Sequence, residues 1–360
     1  MKFSKYLSAF LLSISIFVFN VHANEQETQE NELDVNSLIM HHIMDSHEWH
    51  IISYEKNGEE KHVNIPLPII LFCDGHLDIF MSSKFHNENS LVKRGDREYI
   101  IHDDKIYLAN NGELNFEEKE GELVITNKKP LDFSITRNVA SLFLSIGLLL
   151  WIFLSVARAY KKRPGRPAGL QAFMEPIILF VRNDIAIPNI GEEKHKRYLP
   201  YLLSLFFFIL LNNLLGLIPF FPGGSNLTGN IAVTLTLAIF TLVLTTFSGN
   251  KNYWKHIFAT PGVPIWLYPI MIPVELIGIL TKPFALMIRL FANITAGHII
   301  IISLVSMIFL FKTALASFVV IPFVLFMNVL ELLVAFLQAY IFTMLTALFV
   351  GLAVQDGDEH

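Results

Sequence analysis

Charged residues are scarce in the second half of this 360-residue chain. Between Tyr198 and Val354 only seven side chains carry a formal charge, namely Lys251, Lys255, Glu275, Lys282, Arg289, Lys312 and Glu331. About a quarter of the residues in a soluble domain are charged, so this composition excludes a water-soluble fold there. Cysteine is scarce too. Cys73 is the single one in the sequence, which excludes an intramolecular disulfide and a cysteine-rich metal site.

The first 23 residues have the composition of a targeting segment. Lys2 and Lys5 precede an apolar run from Leu7 to Val21, and the segment ends at the small residue Ala23. This pattern predicts a secretory signal peptide over residues 1–23. The alternative is an uncleaved membrane anchor, but the apolar run is shorter than the roughly 20 residues of a full span. Either interpretation starts the following segment outside the cytoplasm.

Residues 24–137 are polar and acidic, with 23 acidic and 11 basic side chains. Short runs of alternating apolar and polar residues are separated by turn signals such as Asn57-Gly58 and Asp74-Gly75. The pattern predicts a small, mainly-β extracytoplasmic domain. Its acidic excess outweighs the net positive charge of the rest of the chain, so the net charge of the whole is −5, and it excludes the basic face that a nucleic-acid partner requires.

Eight histidines lie in this segment, four of them close together: His41, His42, His47 and His50. Imidazoles at these spacings suit zinc or copper. No cysteine lies beside them, so surface or packing histidines are favoured over a metal site. We predict no cofactor.

From residue 138 onwards the pattern is that of membrane spans. Arg137 and Arg158 bracket an uncharged stretch, and five basic residues crowd its far end, which predicts a helix running from outside to inside. Residues 167–197 mix apolar and charged residues and predict an amphipathic segment on the cytoplasmic surface. Two further spans are expected near 199–220 and 230–248, because Tyr198 to Asn250 carries no charge and Lys251 follows it.

The last two apolar stretches are too long for ordinary spans. Pro264 to Phe311 covers 48 residues, about 72 Å as one helix, against a bilayer core of about 30 Å. Residues 313–354 pose the same problem, before a short acidic tail at 356–360. We therefore predict an all-α polytopic membrane domain over 138–355 with five to six helices, the last two long and tilted. One crossing by 264–311 places the C-terminus inside, and two crossings place it outside.

Ionisable groups inside a membrane are costly and usually functional. Glu275, Lys282 and Arg289 are spaced by seven residues, so on a helix they share nearly one face at intervals of about 10 Å. Asn293 extends this stripe by one turn, and Glu331 and Gln338 form a second stripe. Lys282 is as well explained by snorkelling or by pairing with Glu275 as by a direct role.

Three strings in these helices carry a family resemblance. KPFALMIRLFANITAGH, with LLNNLLGLIP upstream and ELLVAFLQAYIFTMLT downstream, resembles subunit a of the rotary F-type ATP synthase. The resemblance covers about 138–355 and leaves residues 24–137 outside it. It implies a membrane stator that forms two proton half-channels beside a rotating ring of c subunits and couples proton flow to rotation. Such a subunit has no catalytic site of its own.

The resemblance also implies roles for particular residues. The family arginine falls on Arg289, and its asparagines and late glutamine on Asn293, Asn213 and Gln338. An ionisable pair for proton entry falls on His298 and Glu331, and Glu275 matches an acidic residue on the cytoplasmic exit side. Gly216 stands where some members have an acid.

The implied partners are the c-subunit ring, the b subunits of the peripheral stalk, the other ATP synthase subunits and the lipid bilayer. The implied location is the bacterial inner membrane, with the N-terminal domain periplasmic. The choice between H⁺ and Na⁺ depends largely on the c subunit. A rival interpretation is a secondary transporter in which Arg289 binds an anionic solute, although such proteins tend to show inverted repeats, which are not evident here.

Overall fold

The computed structural model describes residues 45–56, 59–85, 90–102, 104–110, 112–119, 122–162, 167–218, 223–258, 264–311 and 314–355. All of them belong to one structural unit, Ile39–His360. The predicted signal peptide and acidic tail lie outside the described residues, as do His41 and His42.

The N-terminal domain is built from short antiparallel strands, which confirms the mainly-β prediction. Four small sheets have the strand orders β1-β2, β10-β3-β4, β5-β6-β7 and β8-β9 among the described residues. The strands are β1 Glu48–Lys56, β2 Glu59–Pro66, β3 Pro68–Cys73, β4 His76–Met81, β5 Leu91–Arg94, β6 Arg97–His102, β7 Lys105–Leu108, β8 Phe116–Lys119, β9 Glu122–Ile125 and β10 Leu131–Asp132.

Alternation along the strands produces the core of this domain. In β3, Ile69, Leu71 and Cys73 are buried, because every second side chain points to the same face. Ile69 and Leu71 share a core with Phe80 of the neighbouring strand β4 and with Tyr99 of β6 in another sheet. No group of three or more histidine, cysteine or acidic side chains that could hold a metal occurs among the described residues.

The rest of the described chain is helical. The helices are α1 Arg137–Lys162, α2 Leu170–Phe180, α3 Ile187–Ile190, α4 His195–Leu217, α5 Ile231–Ser248, α6 Lys251–Phe258, α7 Tyr268–Phe311 and α8 Ala314–Val354, with a π-helical segment Val181–Ala186 joining α2 to α3. Five of the described helices, α1, α4, α5, α7 and α8, are long and apolar enough to cross a membrane.

The two long apolar stretches form one continuous helix each. Helix α7 has 44 residues and α8 has 41, so each is about twice as long as a bilayer core is thick. Pro273 and Pro283 lie inside α7 without ending it, and Pro322 lies inside α8. The sequence predicted five to six spans, and the described residues contain five.

The helices pack around α8, which runs along α4 and α7, while α5 packs against α7. Their shared core includes Leu202, Phe206, Leu290 and Phe342. The segment 167–197 is partly covered by the other helices. Its π-helical part buries Val181, Ile185 and Ala186 in the same core, because this face of the segment packs against α4 and α8.

Candidate functional site

The predicted polar stripe lies on α7, and its central part is not covered by the rest of the described chain. Arg289 and Asn293 are exposed, whereas their neighbours Leu286, Leu290 and Ile294 are buried against the core. In these turns, α7 therefore directs the flank with Leu286, Leu290 and Ile294 towards the other helices and the Arg289 flank outward. Among the described residues, no carboxylate lies within ion-pair distance of the Arg289 guanidinium.

The exposed flank around Arg289 is lined by small side chains. Ala285, Ala292 and Ala296 are all exposed and fall within one helical turn or two of Arg289 on the same side. Small residues let another helix backbone approach closely inside a membrane. This side of α7 therefore has the shape of a helix-packing surface with a fixed positive charge at its centre.

His298 and Glu331 meet where α7 and α8 run side by side. His298 Nδ1 lies 2.9 Å from Glu331 Oε1, and the Glu331 side chain is only 6% exposed. The two atoms are at ion-pair distance without the alignment of a regular hydrogen bond. The structure thus brings together two residues that lie 33 positions apart in the sequence.

A glycine on α7 makes this close approach possible. A Cβ atom at Gly297 would lie 2.7 Å from Glu331 Oε1 and 3.2 Å from Glu331 Cδ. Both distances are shorter than ordinary van der Waals contacts. Glu331 therefore occupies space on the α7 surface that a side chain at residue 297 would otherwise take.

Asn213 connects α4 to this pair of helices. Its Nδ2 donates to the Ala335 carbonyl of α8 at 3.1 Å, and its Oδ1 accepts from Thr228 Oγ1 at 2.7 Å. Asn213 is 2% exposed, so both halves of its amide are satisfied inside the protein. The asparagine holds α4, α8 and the loop before α5 together.

Gly216, one turn after Asn213, leaves room beside the imidazole. A Cβ atom at Gly216 would lie 3.7 Å from His298 Nε2 and 3.6 Å from the Ser225 carbonyl oxygen. The imidazole therefore faces Glu331 with one nitrogen and the α4 backbone with the other. A carboxylate at residue 216 would reach into this space.

Sequence reasoning missed a group of buried polar residues around the same place. Ser225 Oγ donates to Asn138 Oδ1 at 3.1 Å, and Thr295 Oγ1 donates to the Gly229 carbonyl at 3.5 Å. Ser141 and Ser145 follow Asn138 on α1 and are also buried. Their spacing of three and four residues inside an apolar span was the available signal, because it places them on one helix face.

Gln338 lies two turns after Glu331 on α8 and is 5% exposed. Ala335 and Ala339 beside it are fully buried. The second predicted stripe therefore faces the interior of the helix bundle, in contrast to the outward-facing Arg289.

Glu275 and Lys282 lie near the start of α7, away from the His298–Glu331 pair. Burial raises the pKa of Tyr253 on α6, and the nearby negative charge of Glu275 raises it further. Lys282 Nζ lies over the Phe349 ring at 5.6 Å from its centre. Pairing of Lys282 with Glu275, one of the three explanations offered by the sequence, is not found among the ion pairs of the described residues.

Two family models match this chain. The model described as ATP synthase A chain matches residues 139–351. The chain belongs to this family. A domain of unknown function, DUF8433, matches residues 38–133.

Curated proteins of the ATP synthase A chain family are also similar over most of their length. ATP synthase subunit a 2 of Chlorobaculum tepidum is 46% identical over 71% of this chain and 73% of its own. ATP synthase subunit a 2 of Prosthecochloris aestuarii is 50% identical over 63% of this chain and 71% of its own. ATP synthase subunit a of Myxococcus xanthus is 45% identical over 64% of this chain and 76% of its own.

Membership in the ATP synthase A chain family defines the class of function. The chain is the proton-translocating membrane subunit of an ATP synthase, without a catalytic site of its own. It is embedded in a membrane and associates with other subunits of that enzyme. The family gives no support to a secondary transporter of an anionic solute.

Proposed function

We propose that the exposed flank of α7 runs beside the c-subunit ring and that Arg289 meets one ring carboxylate after another. A single observation carries this proposal: Arg289 and Asn293 are exposed on α7, whereas Leu286, Leu290 and Ile294 on another flank of the same turns are buried against the core. Alanines at residues 285, 292 and 296 leave room for a second helix.

The fixed cation supplies the central step. Arginine stays protonated, and its planar guanidinium pairs well with a carboxylate in a medium of low dielectric constant. A ring carboxylate near Arg289 is therefore favoured as the anion and releases its proton before passing. The same charge prevents protons from crossing directly between the two half-channels. The membrane potential contributes about 2.3 kcal/mol per charge per 100 mV to rotation.

The entry half-channel ends at His298 and Glu331 in this proposal. Imidazole titrates near neutral pH, so a histidine beside a carboxylate can accept and pass on protons. Asn213 and Gln338 are buried near the pair and supply amide groups along the route. His298 lies nine residues after Arg289 on α7, which separates the two by about 13 Å along the axis.

The exit half-channel leads past Glu275. This residue lies 14 positions before Arg289 on the same helix, about 21 Å nearer the start of α7. Its negative charge lies close enough to Tyr253 of α6 to contribute to the raised pKa of that phenol. Glu275 therefore provides an ionisable group between the ring carboxylate and the cytoplasmic side of the membrane domain. Lys251 and Lys255, which follow α5, mark that side.

The proposed topology places the N-terminal domain in the periplasm and the C-terminus in the cytoplasm of a bacterial cell. Basic residues follow α1 and α5, and five spans then end α8 inside. Contacts between helix ends support this topology, because they place the end of α8 beside the start of α4 and the end of α5. The Val354 carbonyl at the end of α8 accepts hydrogen bonds from Lys194 Nζ and Asn250 Nδ2, each at 2.8 Å. In this proposal residues 1–23 are a signal peptide, and the b subunits are further partners.

Cysteine cross-linking tests the proposed c-ring contact. Cys73 is first changed to Ser, and Ala292→Cys is introduced beside Arg289 together with a cysteine near the ring carboxylate of the c subunit. Oxidation of the assembled complex should give an a–c cross-link within minutes. The matched control is Ala157→Cys, which is exposed on α1. Cross-linking from residue 157 but not from residue 292 would contradict the proposal.

A further inference from the structure

The beginning of the first membrane helix is held by the N-terminal domain. Backbone N–H groups in the first turn of a helix have no partner within the helix. In α1, the Arg137 N–H donates to the Ser46 carbonyl at 2.8 Å, and the Asn138 N–H donates to Asp45 Oδ1 at 3.0 Å. A carboxylate at a helix N-terminus is also favoured by the helix dipole. The N-terminal domain therefore supplies hydrogen-bond acceptors for the first two N–H groups of α1.

The linker between the domain and α1 is held just as closely. The Ile135 N–H donates to the Pro68 carbonyl at 3.0 Å, and Ile70 N–H donates to Ser134 Oγ at 3.0 Å. Asp132 lies 2.8 Å from His47 Nε2, and its other oxygen accepts from the Ser134 N–H. The domain is therefore joined to the membrane helix by a continuous series of hydrogen bonds.

The side chain of Asn138 continues this series into the membrane domain. Its Oδ1 accepts from Ser225 Oγ, and both residues are buried. Ser225 lies in the loop that leads to α5, in which Leu227 and Thr228 are each 1% exposed. The described residues 225–228 of this loop are therefore packed inside the protein.

The loop in turn forms one wall of the space beside His298. The Ser225 carbonyl and His298 Nε2 both lie within 4 Å of the position that a Cβ atom at Gly216 would take. Thr295, one turn before His298, donates to Gly229 at the end of the loop. The space beside the His298 imidazole, at this end of α4 and α7, therefore depends on where the loop lies.

We propose that the N-terminal domain positions the entrance of the proton entry half-channel, with Asp45 and Asn138 as positioning residues. Asp45 fixes the start of α1, Asn138 fixes Ser225, and the loop then stays against Gly216 and His298. Neither residue carries a proton in this scheme. The inference rests on the proposed function, because it assumes that protons reach Glu331 from this side.

If the N-terminal domain were only an anchor, loss of Asp45 would not change proton entry. Substitutions of Asp45 therefore distinguish an anchoring role of the domain from a positioning role. The purified complete ATP synthase is reconstituted into liposomes, and ATP synthesis is measured against the proton concentration on the side of the N-terminal domain. Asp45→Ala should raise the half-saturating proton concentration about fivefold, the factor typical of a lost helix cap, and leave the maximal rate unchanged. Asp45→Asn keeps an acceptor oxygen and should restore wild-type behaviour.

Asn138→Ala and Ser225→Ala provide an independent test of the inner contact. Each should raise the half-saturating proton concentration, and the double variant should be no worse than either single one, since both remove the same hydrogen bond. Asp74→Asn is the matched control, because Asp74 pairs with Lys128 in the same domain, both side chains are exposed, and asparagine tolerates the positive φ of 49° at this residue. That variant should match wild type.

The inference is overturned if Asp45→Ala and Asn138→Ala assemble with a normal half-saturating proton concentration. It is equally overturned if Asp45→Asn is as impaired as Asp45→Ala, or if only the maximal rate falls. Subunit content on gels and Arg289→Ala are measured in parallel. ATP synthesis by Arg289→Ala would refute the proposed function itself, whereas its loss together with unaffected Asp45 variants would refute this inference alone.

Discussion

Gly297→Ala is a small change with a large expected effect on proton translocation. The added methyl carbon would lie 2.7 Å from Glu331 Oε1, whereas carbon and oxygen atoms in proteins approach to about 3.3 Å. Either the carboxylate or the helix must move by about 0.6 Å. The displaced oxygen is the one that lies 2.9 Å from His298 Nδ1.

The magnitude follows from what this contact is worth. As a scale for this close polar contact, a hydrogen bond to a charged group contributes about 1.5–3 kcal/mol, which corresponds to a factor of about 10 to 150. We expect ATP synthesis by Gly297→Ala to fall at least about tenfold if the pair relays protons. Overpacking costs about 1–3 kcal/mol more, but the change also improves helix propensity by about 0.5–1 kcal/mol.

The assay compares Gly297→Ala with Gly278→Ala in inverted membrane vesicles. Gly278 lies on the same helix, and no heavy atom lies within 4 Å of the position that its Cβ would take. Both variants gain the same helix propensity, so their difference reports the contact with Glu331. ATP synthesis and ATP-driven acidification are normalised to subunit content. Synthesis by Gly297→Ala within twofold of the control would refute the reasoning.

Three further predictions concern separate parts of the chain. Arg289→Ala should abolish ATP synthesis in assembled complexes while passive proton leak persists or rises, and Arg289→Lys should fail too because an ammonium lacks the planar fork; near-wild-type synthesis by either would contradict the role. Glu275→Gln should slow ATP-driven pumping more than it lowers subunit content, and normal pumping across a range of pH would remove Glu275 from the exit route. Burial works to raise the pKa of Asp132, but hydrogen bonds from His47 and Ser134 lower it below its ordinary 3.8, so its stabilisation is present above pH 3.8 and is lost as the pH falls through the lower folded-state pKa. Asp132→Asn should therefore speed proteolysis of the N-terminal domain at pH 7, with a difference that shrinks in acid.

The sequence predicted most of the membrane domain because its signals are local. A span needs about 20 apolar residues, and basic residues on one side set its direction. The same local rules apply to a helix face, so the spacing of Glu275, Lys282 and Arg289 predicted one stripe on α7. The strands of the N-terminal domain followed from alternation and turn residues in the same way.

Residues 167–197 show where local rules stop. Their mixture of apolar and charged residues predicted an amphipathic segment on the cytoplasmic surface. In the structure Val181 and Ile185 are fully buried in the core. An amphipathic pattern indicates that one face of a segment is buried, but it does not indicate whether lipid or protein covers that face. Here α4 and α8 cover it.

The positions of the spans and the spacing of polar residues along each helix were thus set by the sequence of this protein alone. Only the tertiary structure decided that His298 meets Glu331, that Gly216 and Gly297 open space for them, and that Arg289 faces outward. These contacts depend on how helices cross and how far each is rotated about its axis, which is set by packing over the whole interface. The link from Asp45 to Ser225 likewise exists only once the N-terminal domain has folded onto α1.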